Sequence, residues 1–120
     1  MTDQLLIIED NAQNYYMMKF LLEKKGFSVI VAENGQDGID AALVHRPDGI
    51  LLDIQLPEMD GYAVAAALKT HDELAKIPII AVTSYAMAGD RERILAAGAT
   101  GYIEKPINPD TFVEDIKKYL

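Results

Sequence analysis

The sequence predicts an α/β fold of the doubly wound kind, with one parallel sheet covered by helices on both faces. Short apolar runs alternate with helix-period stretches along all 120 residues, which is typical of repeated βα units. Four of the five runs are almost entirely apolar, as expected of parallel strands buried on both faces. Polar side chains follow four runs, and the carboxyl ends of parallel strands share the edge where such folds bind ligands.

The five apolar runs are the predicted strands, and they occupy residues 4–8, 28–32, 49–52, 79–83 and 101–104. The first helix follows Asn11 and ends near Gly26, because glycine suits the left-handed position just past a helix. The second helix begins after Asn34 and reaches His45, and Pro47 stops it.

The last three helices carry start and stop signals of their own. Asp60 can cap the third helix, whose alanine-rich body has high helix propensity. Gly98 ends the fourth helix in the same way as Gly26 ends the first. The fifth helix has Asn108 as its N-cap and Pro109 at its first position, and one face carries Phe112, Ile116 and Leu120.

Composition restricts the classes of function. With 120 residues and 50% hydrophobic content, we expect one domain over residues 1–120, without an output domain. The absence of cysteine excludes disulfides, thiolate nucleophiles and cysteine-type zinc sites, and it fits a cytoplasmic protein. A net charge of −8 disfavours direct nucleic-acid binding. No apolar run approaches the ~20 residues that cross a bilayer, so we expect no membrane insertion.

Three carboxylates form a predicted cluster, since Glu9 and Asp10 follow the first strand and Asp53 follows the third. Two carboxylates about 5 Å apart repel by about 3 kcal/mol at an effective dielectric of about 20, and a divalent cation would offset this repulsion. Mg²⁺ suits such oxygen ligands and keeps several waters, and Mn²⁺ could replace it. We predict Asp10 as a direct ligand, Glu9 as a ligand through water and the Gln55 carbonyl as a further oxygen. Alternatively, Glu9 and Asp10 only stabilise the first helix through its dipole.

Lys105 and Thr83 add a cation and a hydroxyl to the same predicted edge, at the ends of the fifth and fourth strands. An ammonium offers a point charge to a phosphoryl oxygen, and a hydroxyl donates a hydrogen bond to one. With Asp53 as a carboxylate nucleophile, this set suits phosphoryl transfer. Alternatively, Lys105 forms a salt bridge with Asp53.

From Leu5 to Leu120 the chain resembles the receiver domains of two-component response regulators. The motif residues occur in the order of that family, namely Glu9-Asp10, Asp53, Pro57, Asp60-Gly61, Thr83 and Lys105-Pro106. The segments at residues 7–11 and 54–57 are similar to those of stand-alone, single-domain regulators of the DivK kind. The resemblance implies a CheY-like, flavodoxin-like (βα)5 fold with strand order 2-1-3-4-5 and a cis peptide bond before Pro106.

The resemblance also implies a signalling switch rather than an enzyme. Asp53 would accept a phosphoryl group from a sensor histidine kinase or a histidine phosphotransfer protein, with Mg²⁺ bound by Asp10, Asp53 and the Gln55 carbonyl. Such domains catalyse only their own phosphorylation and dephosphorylation. The phosphoryl group would draw the Thr83 hydroxyl inward, and Tyr102 would turn inward with it. The changed shape would be read by a downstream protein, and the domain would act as a monomer or a phosphorylation-dependent dimer.

The first helix is predicted to contribute a docking surface. Residues 15–18 are four consecutive large side chains, which cannot all face the core, so at least one apolar side chain should be exposed. We predict that Asn14 and Met17 lie where the histidine-bearing partner docks. Alternatively, the fold tolerates one exposed apolar residue.

Three further predictions concern loops and the last strand. Tyr85, two residues after Thr83, would contact partners and, together with Gln55, set the lifetime of the phosphoryl group. Arg91, Glu104, Lys117 and Lys118 would lie on or near the output surface, as the resemblance implies for this face. Their alternative role is that of ordinary solvated charges.

Three other kinds of protein share part or all of this sequence pattern. A flavodoxin-like cofactor carrier needs an uncharged, hydroxyl-rich phosphate loop, but Glu9 and Asp10 would repel phosphate. A dehalogenase-like phosphatase with an aspartyl nucleophile has acids at alternate positions after its first strand, whereas those two are adjacent. A receiver domain excised from a hybrid histidine kinase or multidomain regulator would share every motif.

Overall fold

Five parallel strands form one sheet in the computed structural model, which describes residues 3–56, 58–84 and 88–120. The strands are β1 (Gln4–Ile8), β2 (Ser28–Ala32), β3 (Gly49–Asp53), β4 (Ile79–Thr83) and β5 (Gly101–Glu104). Their order in the sheet is β2-β1-β3-β4-β5. The chain therefore adds β2 on one side of β1, and β3, β4 and β5 on the other side. The predicted strand bounds are confirmed to within one residue, and so is the strand order.

Five helices connect and follow the strands: α1 (Ala12–Lys24), α2 (Gly35–His45), α3 (Gly61–Thr70), α4 (Ala88–Ala96) and α5 (Phe112–Lys117). Asp60 caps α3 as predicted, and Asn11 and Asn34, after which the first two helices were expected to begin, are N-caps too. Each of the three accepts a hydrogen bond from the backbone amide three residues later. Gly26 and Gly98 have φ angles of 95° and 115°, which confirms the left-handed position predicted for both.

The prediction for the fifth helix was wrong at both ends. The helix begins only at Phe112, so Asn108 is not its N-cap and Pro109 is not its first residue. The two lie in the turn that precedes the helix, where Oδ1 of Asn108 accepts from the amide of Asp110 at 2.9 Å. Phe112 and Ile116 are buried as expected, but Leu120 lies beyond the helix and is 43% exposed.

Alternate residues of the central strands pack against helices on opposite faces of the sheet. One cluster joins β1 and β3 to α2 and α3, and its strand residues include Leu6, Ile8, Ile50 and Leu52. The other joins β1, β3 and β4 to α1 and α5, and its strand residues include Leu5, Ile7, Leu51 and Ile80. Because these strands are covered on both faces, only their ends reach solvent. Among the described residues, no helix is long and apolar enough to cross a membrane.

Candidate functional site

The carboxyl edge of the sheet brings Glu9, Asp10 and Asp53 together. β1 and β3 pair in parallel with Ile8 opposite Leu52, so the residues that follow this pair lie side by side. One carboxylate oxygen from each of the three acids lies within 4.8 Å of the others. Glu9 and Asp53 are 1% and 3% exposed, whereas Asp10 is exposed to solvent. The predicted acidic cluster therefore has two buried members and one open to water.

Lys105 reaches this cluster from the carboxyl end of β5, two strands away from β3. Its Nζ lies 2.9 Å from Oε1 of Glu9 and 3.4 Å from Oδ2 of Asp53. Its backbone amide donates to the carbonyl of Thr83 at 2.8 Å, and the peptide bond to Pro106 is cis as the resemblance implied. The sequence suggested a pair between Lys105 and Asp53, but the closer partner is Glu9.

Each oxygen of the two buried carboxylates has a polar partner that orients it. The other oxygen of Glu9, Oε2, accepts from the amide of Asn11 at 3.2 Å, and Oδ1 of Asp53 accepts from the amide of Gln55 at 2.9 Å. Both donors are backbone amides of the loops that follow β1 and β3. The part that Asn11 plays here could not be predicted, because a hydrogen bond from a backbone amide has no signature in side-chain type.

Burial raises the pKa of Glu9 above its ordinary value, and the neighbouring Asp53 adds to this effect, although Lys105 opposes it. Burial alone would lower the pKa of Lys105, but the carboxylates of Glu9 and Asp53 outweigh burial and raise it. Lys105 is therefore a fixed positive charge at neutral pH. One ammonium does not fully compensate the carboxylates around it, so the cluster has room for further positive charge.

Thr83 lies on β4, which is next to β3, and Tyr102 lies on β5, one strand further on. Thr83 ends β4, one residue beyond the position paired with Asp53, and it is fully buried. Tyr102 is half-buried in β5 and packs against a small cluster formed by Ile54, Ala81 and Ile94. The predicted switch residues therefore occupy the same region as Asp53. Tyr102 packs against a cluster that includes Ile54, the residue after Asp53.

Arg91 and Glu104, both predicted for the output surface, contact one another. Nη2 of Arg91 lies 3.4 Å from Oε1 of Glu104, and its guanidinium lies 5.2 Å from the centre of the Tyr102 ring. Arg91 and Glu104 are both exposed. A partner could therefore contact both side chains, and Arg91 would connect that partner to Tyr102.

The docking predictions for α1 have mixed placements. Asn14 and Met17 are half-buried, whereas Tyr16 and Phe20 are 63% and 64% exposed. The expectation that residues 15–18 expose at least one large side chain is therefore confirmed. Phe20 was missed, although its spacing of four residues from Tyr16 puts both on one side of a helix. Tyr85, the remaining docking prediction, and Pro57 of the motif lie outside the described residues.

The donor set fits a hard divalent cation. Three carboxylates supply oxygen atoms, which Mg²⁺ and Mn²⁺ prefer, and the exposed side of Asp10 leaves space for bound water. Gln55 lies two residues after Asp53 at the same edge, and the metal role of its carbonyl stays a prediction.

A buried aspartate with two acidic neighbours, a lysine and a threonine at the carboxyl edge of a five-stranded parallel sheet defines a class of signalling domain. The chain belongs to the response regulator receiver domain family, whose model matches residues 5–117. It is 48% identical to the polar-differentiation response regulator DivK of Brucella anthropi and 47% identical to DivK of Brucella ovis. Each comparison covers all of this chain and 98% of the relative.

Solved structures have the same fold. The chemotaxis protein CheY4 of Vibrio cholerae superposes with a TM-score of 0.96 at 26% identity, over the whole of both chains. The receiver domain of the sensor histidine kinase PA1611 of Pseudomonas aeruginosa superposes with a TM-score of 0.90 at 30% identity, over 99% of this chain and 98% of that one. That domain was crystallised with a magnesium ion coordinated in its active-site cleft. The predicted family and fold are confirmed.

Proposed function

We propose that this protein is a phosphoacceptor switch of a two-component or phosphorelay system, phosphorylated at Asp53. The observation that carries the proposal is the position of the Asp53 carboxylate. It lies at a strand end with Oδ1 held by the amide of Gln55 and Oδ2 3.4 Å from the ammonium of Lys105. A buried carboxylate oriented in this way is a suitable nucleophile for a phosphoryl group.

The phosphoryl step is a displacement at phosphorus. An Asp53 oxygen bonds to the phosphorus of a phosphohistidine donor while the P–N bond breaks, and the imidazole leaves with its bonding electron pair and takes up a proton. Hydrolysis of the resulting acyl phosphate restores the carboxylate and releases phosphate. Lys105 supplies positive charge to the phosphoryl oxygens, and Thr83 supplies a hydroxyl donor.

We propose Asp10 and Asp53 as direct ligands of Mg²⁺, Glu9 as a ligand through water and the Gln55 carbonyl as a further oxygen. A bound Mg²⁺ would offset negative charge on the phosphoryl oxygens. Two features support the assignment: the three acids converge within 4.8 Å, and the pKa of Glu9 is raised even with Lys105 beside it.

The proposal is tested by incubating the protein with a small acyl phosphate and Mg²⁺ and measuring its intact mass. Wild type should gain one phosphate, and Asp53→Asn should gain none. Asp72→Asn is the matched control, because Asp72 is an exposed acid in a turn away from the site. The absence of an adduct on wild type, or an equal adduct on Asp53→Asn, would overturn the proposal.

We further propose that α1 receives the histidine-bearing donor and that α4 and β5 present the signal to a downstream protein. The exposed aromatic side chains of Tyr16 and Phe20 support the first assignment, since aromatic residues dominate many interaction surfaces. The contact of Arg91 with both Tyr102 and Glu104 supports the second.

A further inference from the structure

The helix α4 buries little apolar surface in the part of it that the structure describes. Of the side chains that the structure describes in α4, only Ile94 is buried. By comparison, α3 buries Val64, Ala65 and Leu68. An element with so little buried apolar surface can move at low free-energy cost. The contacts that hold α4 therefore decide where it lies.

One of these contacts lies next to the proposed phosphoacceptor. Ile94 packs in a cluster with Ile54 and Ala81, and Ile54 directly follows Asp53. A phosphoryl group on Asp53 adds charge and volume one residue away from the surface on which α4 rests. Ile54 therefore belongs both to the loop that follows Asp53 and to the surface against which α4 packs.

A second contact joins α4 to the start of α3. The guanidinium of Arg93 lies 3.9 Å from the centre of the Tyr62 ring. Tyr62 follows Gly61, which is packed directly on the phosphoacceptor backbone. The Gly61 amide donates to the carbonyl of Ile54 at 2.9 Å, and a Cβ at Gly61 would lie 2.4 Å from the Ile54 Cα. Arg93 is therefore connected to Asp53 through an unbroken series of close contacts.

We propose that Arg93 and Tyr62 form a clasp that holds α4 in the arrangement of the unphosphorylated domain and opposes phosphoryl acceptance at Asp53. The proposal rests on the proposed function of Asp53. A contact made in one arrangement and lost in another shifts their equilibrium by its own free energy. For an exposed guanidinium on an aromatic ring, this free energy corresponds to about a two- to fivefold shift in the equilibrium between the two arrangements.

The clasp is tested by the affinity for beryllofluoride, a phosphoryl mimic, in the presence of Mg²⁺. Arg93→Ala and Tyr62→Leu should each bind the mimic about two- to fivefold more tightly than wild type, because the opposing contact is gone. Tyr62→Phe is the matched control, because it keeps the ring and should bind like wild type. Damage to the fold would weaken binding, so a gain in affinity cannot come from a merely structural defect.

The outcomes separate the two proposals. If wild type takes up a phosphate from the small donor but Arg93→Ala binds the mimic with equal or lower affinity, the clasp is wrong and the proposed function stands. If wild type accepts no phosphate, the proposed function fails, and the clasp fails with it because it has no transition to oppose.

Hydrogen exchange in the absence of any phosphodonor gives a second measurement. Amides at positions 91–97 should exchange about two- to fivefold faster in Arg93→Ala and Tyr62→Leu than in wild type or Tyr62→Phe. Amides of β1 should be unchanged. Equal exchange at 91–97 in wild type and Arg93→Ala would overturn the clasp.

Discussion

At the scale of single residues, Glu9, Asp53 and Lys105 form one ion-paired group at the carboxyl edge of the sheet. Each polar residue follows an apolar strand, so their convergence could be predicted from strand direction alone. That Lys105 lies 0.5 Å closer to Glu9 than to Asp53, at 2.9 Å against 3.4 Å, depends on rotamers and on the amide donated by Asn11. Such details arise from packing and leave no pattern in residue types.

Glu9 should make stability depend on pH in the metal-free protein. Its pKa is raised in the folded state above an ordinary value of 4.5, so its stabilising contribution is complete below that value. The contribution is lost as pH rises through the folded pKa. Glu9→Gln does not titrate, so its free energy of unfolding relative to wild type should increase as pH rises above the ordinary value of 4.5.

This prediction is checked by urea unfolding of both proteins in chelator at several pH values. Glu23→Gln is the control, because it makes the same substitution at an exposed glutamate of α1. A difference between Glu9→Gln and wild type that stayed flat or fell with pH would contradict the assignment of Glu9 as an acid in an unfavourable environment.

Lys105 should be needed for the phosphoryl step. Lys105→Ala should slow adduct formation from a small acyl phosphate by about a hundredfold or more, because a preorganised positive charge on the transferred group is removed. The rate is measured by intact mass over time at saturating Mg²⁺. Lys76→Ala, which removes an exposed lysine in a turn, is the control. Rates for Lys105→Ala and Lys76→Ala that agree would show that the ammonium contributes nothing.

At the scale of elements, local signals predicted most helix ends. Asn11, Asn34 and Asp60 satisfy backbone amides within three residues, so their effect is visible in sequence. The start of α5 could not be predicted in this way, since the Asn108 side chain satisfies an amide in a turn and the helix begins only at Phe112. The stack of Arg93 on Tyr62 was also invisible, because it depends on the distance between two helices.

The cap of α3 should contribute measurably to stability. Asp60→Ala leaves the amide of Ala63 without its side-chain acceptor, which lies at 2.9 Å, and should lower the free energy of unfolding by about 1 kcal/mol. Asp60→Ser retains an acceptor and should remain within about 0.5 kcal/mol of wild type. Urea unfolding distinguishes them, and equal losses in the two variants would show that the carboxylate acts by something other than capping.

The exposed face of α1 should matter only when the phosphodonor is a protein. Tyr16→Ala should slow transfer from a histidine phosphotransfer protein by about tenfold, as expected when an aromatic interface residue is truncated. Transfer from a small acyl phosphate should be unchanged. The same pair of donors tests Met17→Glu, where a charge would be placed beside the docking surface.

Val44→Ala is the control for this experiment, because Val44 is 76% exposed on α2, away from α1. Equal slowing with both donors would place the effect of Tyr16 in the phosphoryl step itself. No slowing with the protein donor would remove α1 from the docking surface.

At the scale of the whole molecule, alternation of strands and helices was enough to predict a parallel sheet covered on both faces. The order of the strands came from the resemblance to receiver domains, because the apolar pattern of β2 or β4 does not state which neighbour it pairs with. The net charge of −8 was equally plain in sequence, but the convergence of three of the 19 acids at one edge of the sheet depends on the fold.

Metal binding should therefore stabilise the entire domain. Mg²⁺ at about a hundred times its dissociation constant should raise the free energy of unfolding by about 2.7 kcal/mol, if the unfolded chain does not bind it. Asp10→Asn should reduce this gain, because one carboxylate of the cluster is lost. The measurement is thermal unfolding with and without Mg²⁺, with sodium chloride at matched ionic strength as control. An equal rise with sodium chloride would indicate general charge screening.

The ion pair between Glu9 and Lys105 joins residues 96 positions apart in the chain. During synthesis, Glu9, Asp10 and Asp53 leave the ribosome well before Lys105, which pairs with two of them. A nascent chain that ends before Lys105 carries the three carboxylates without this ammonium. The proposed acceptor site is therefore assembled only once the fifth βα unit is being made.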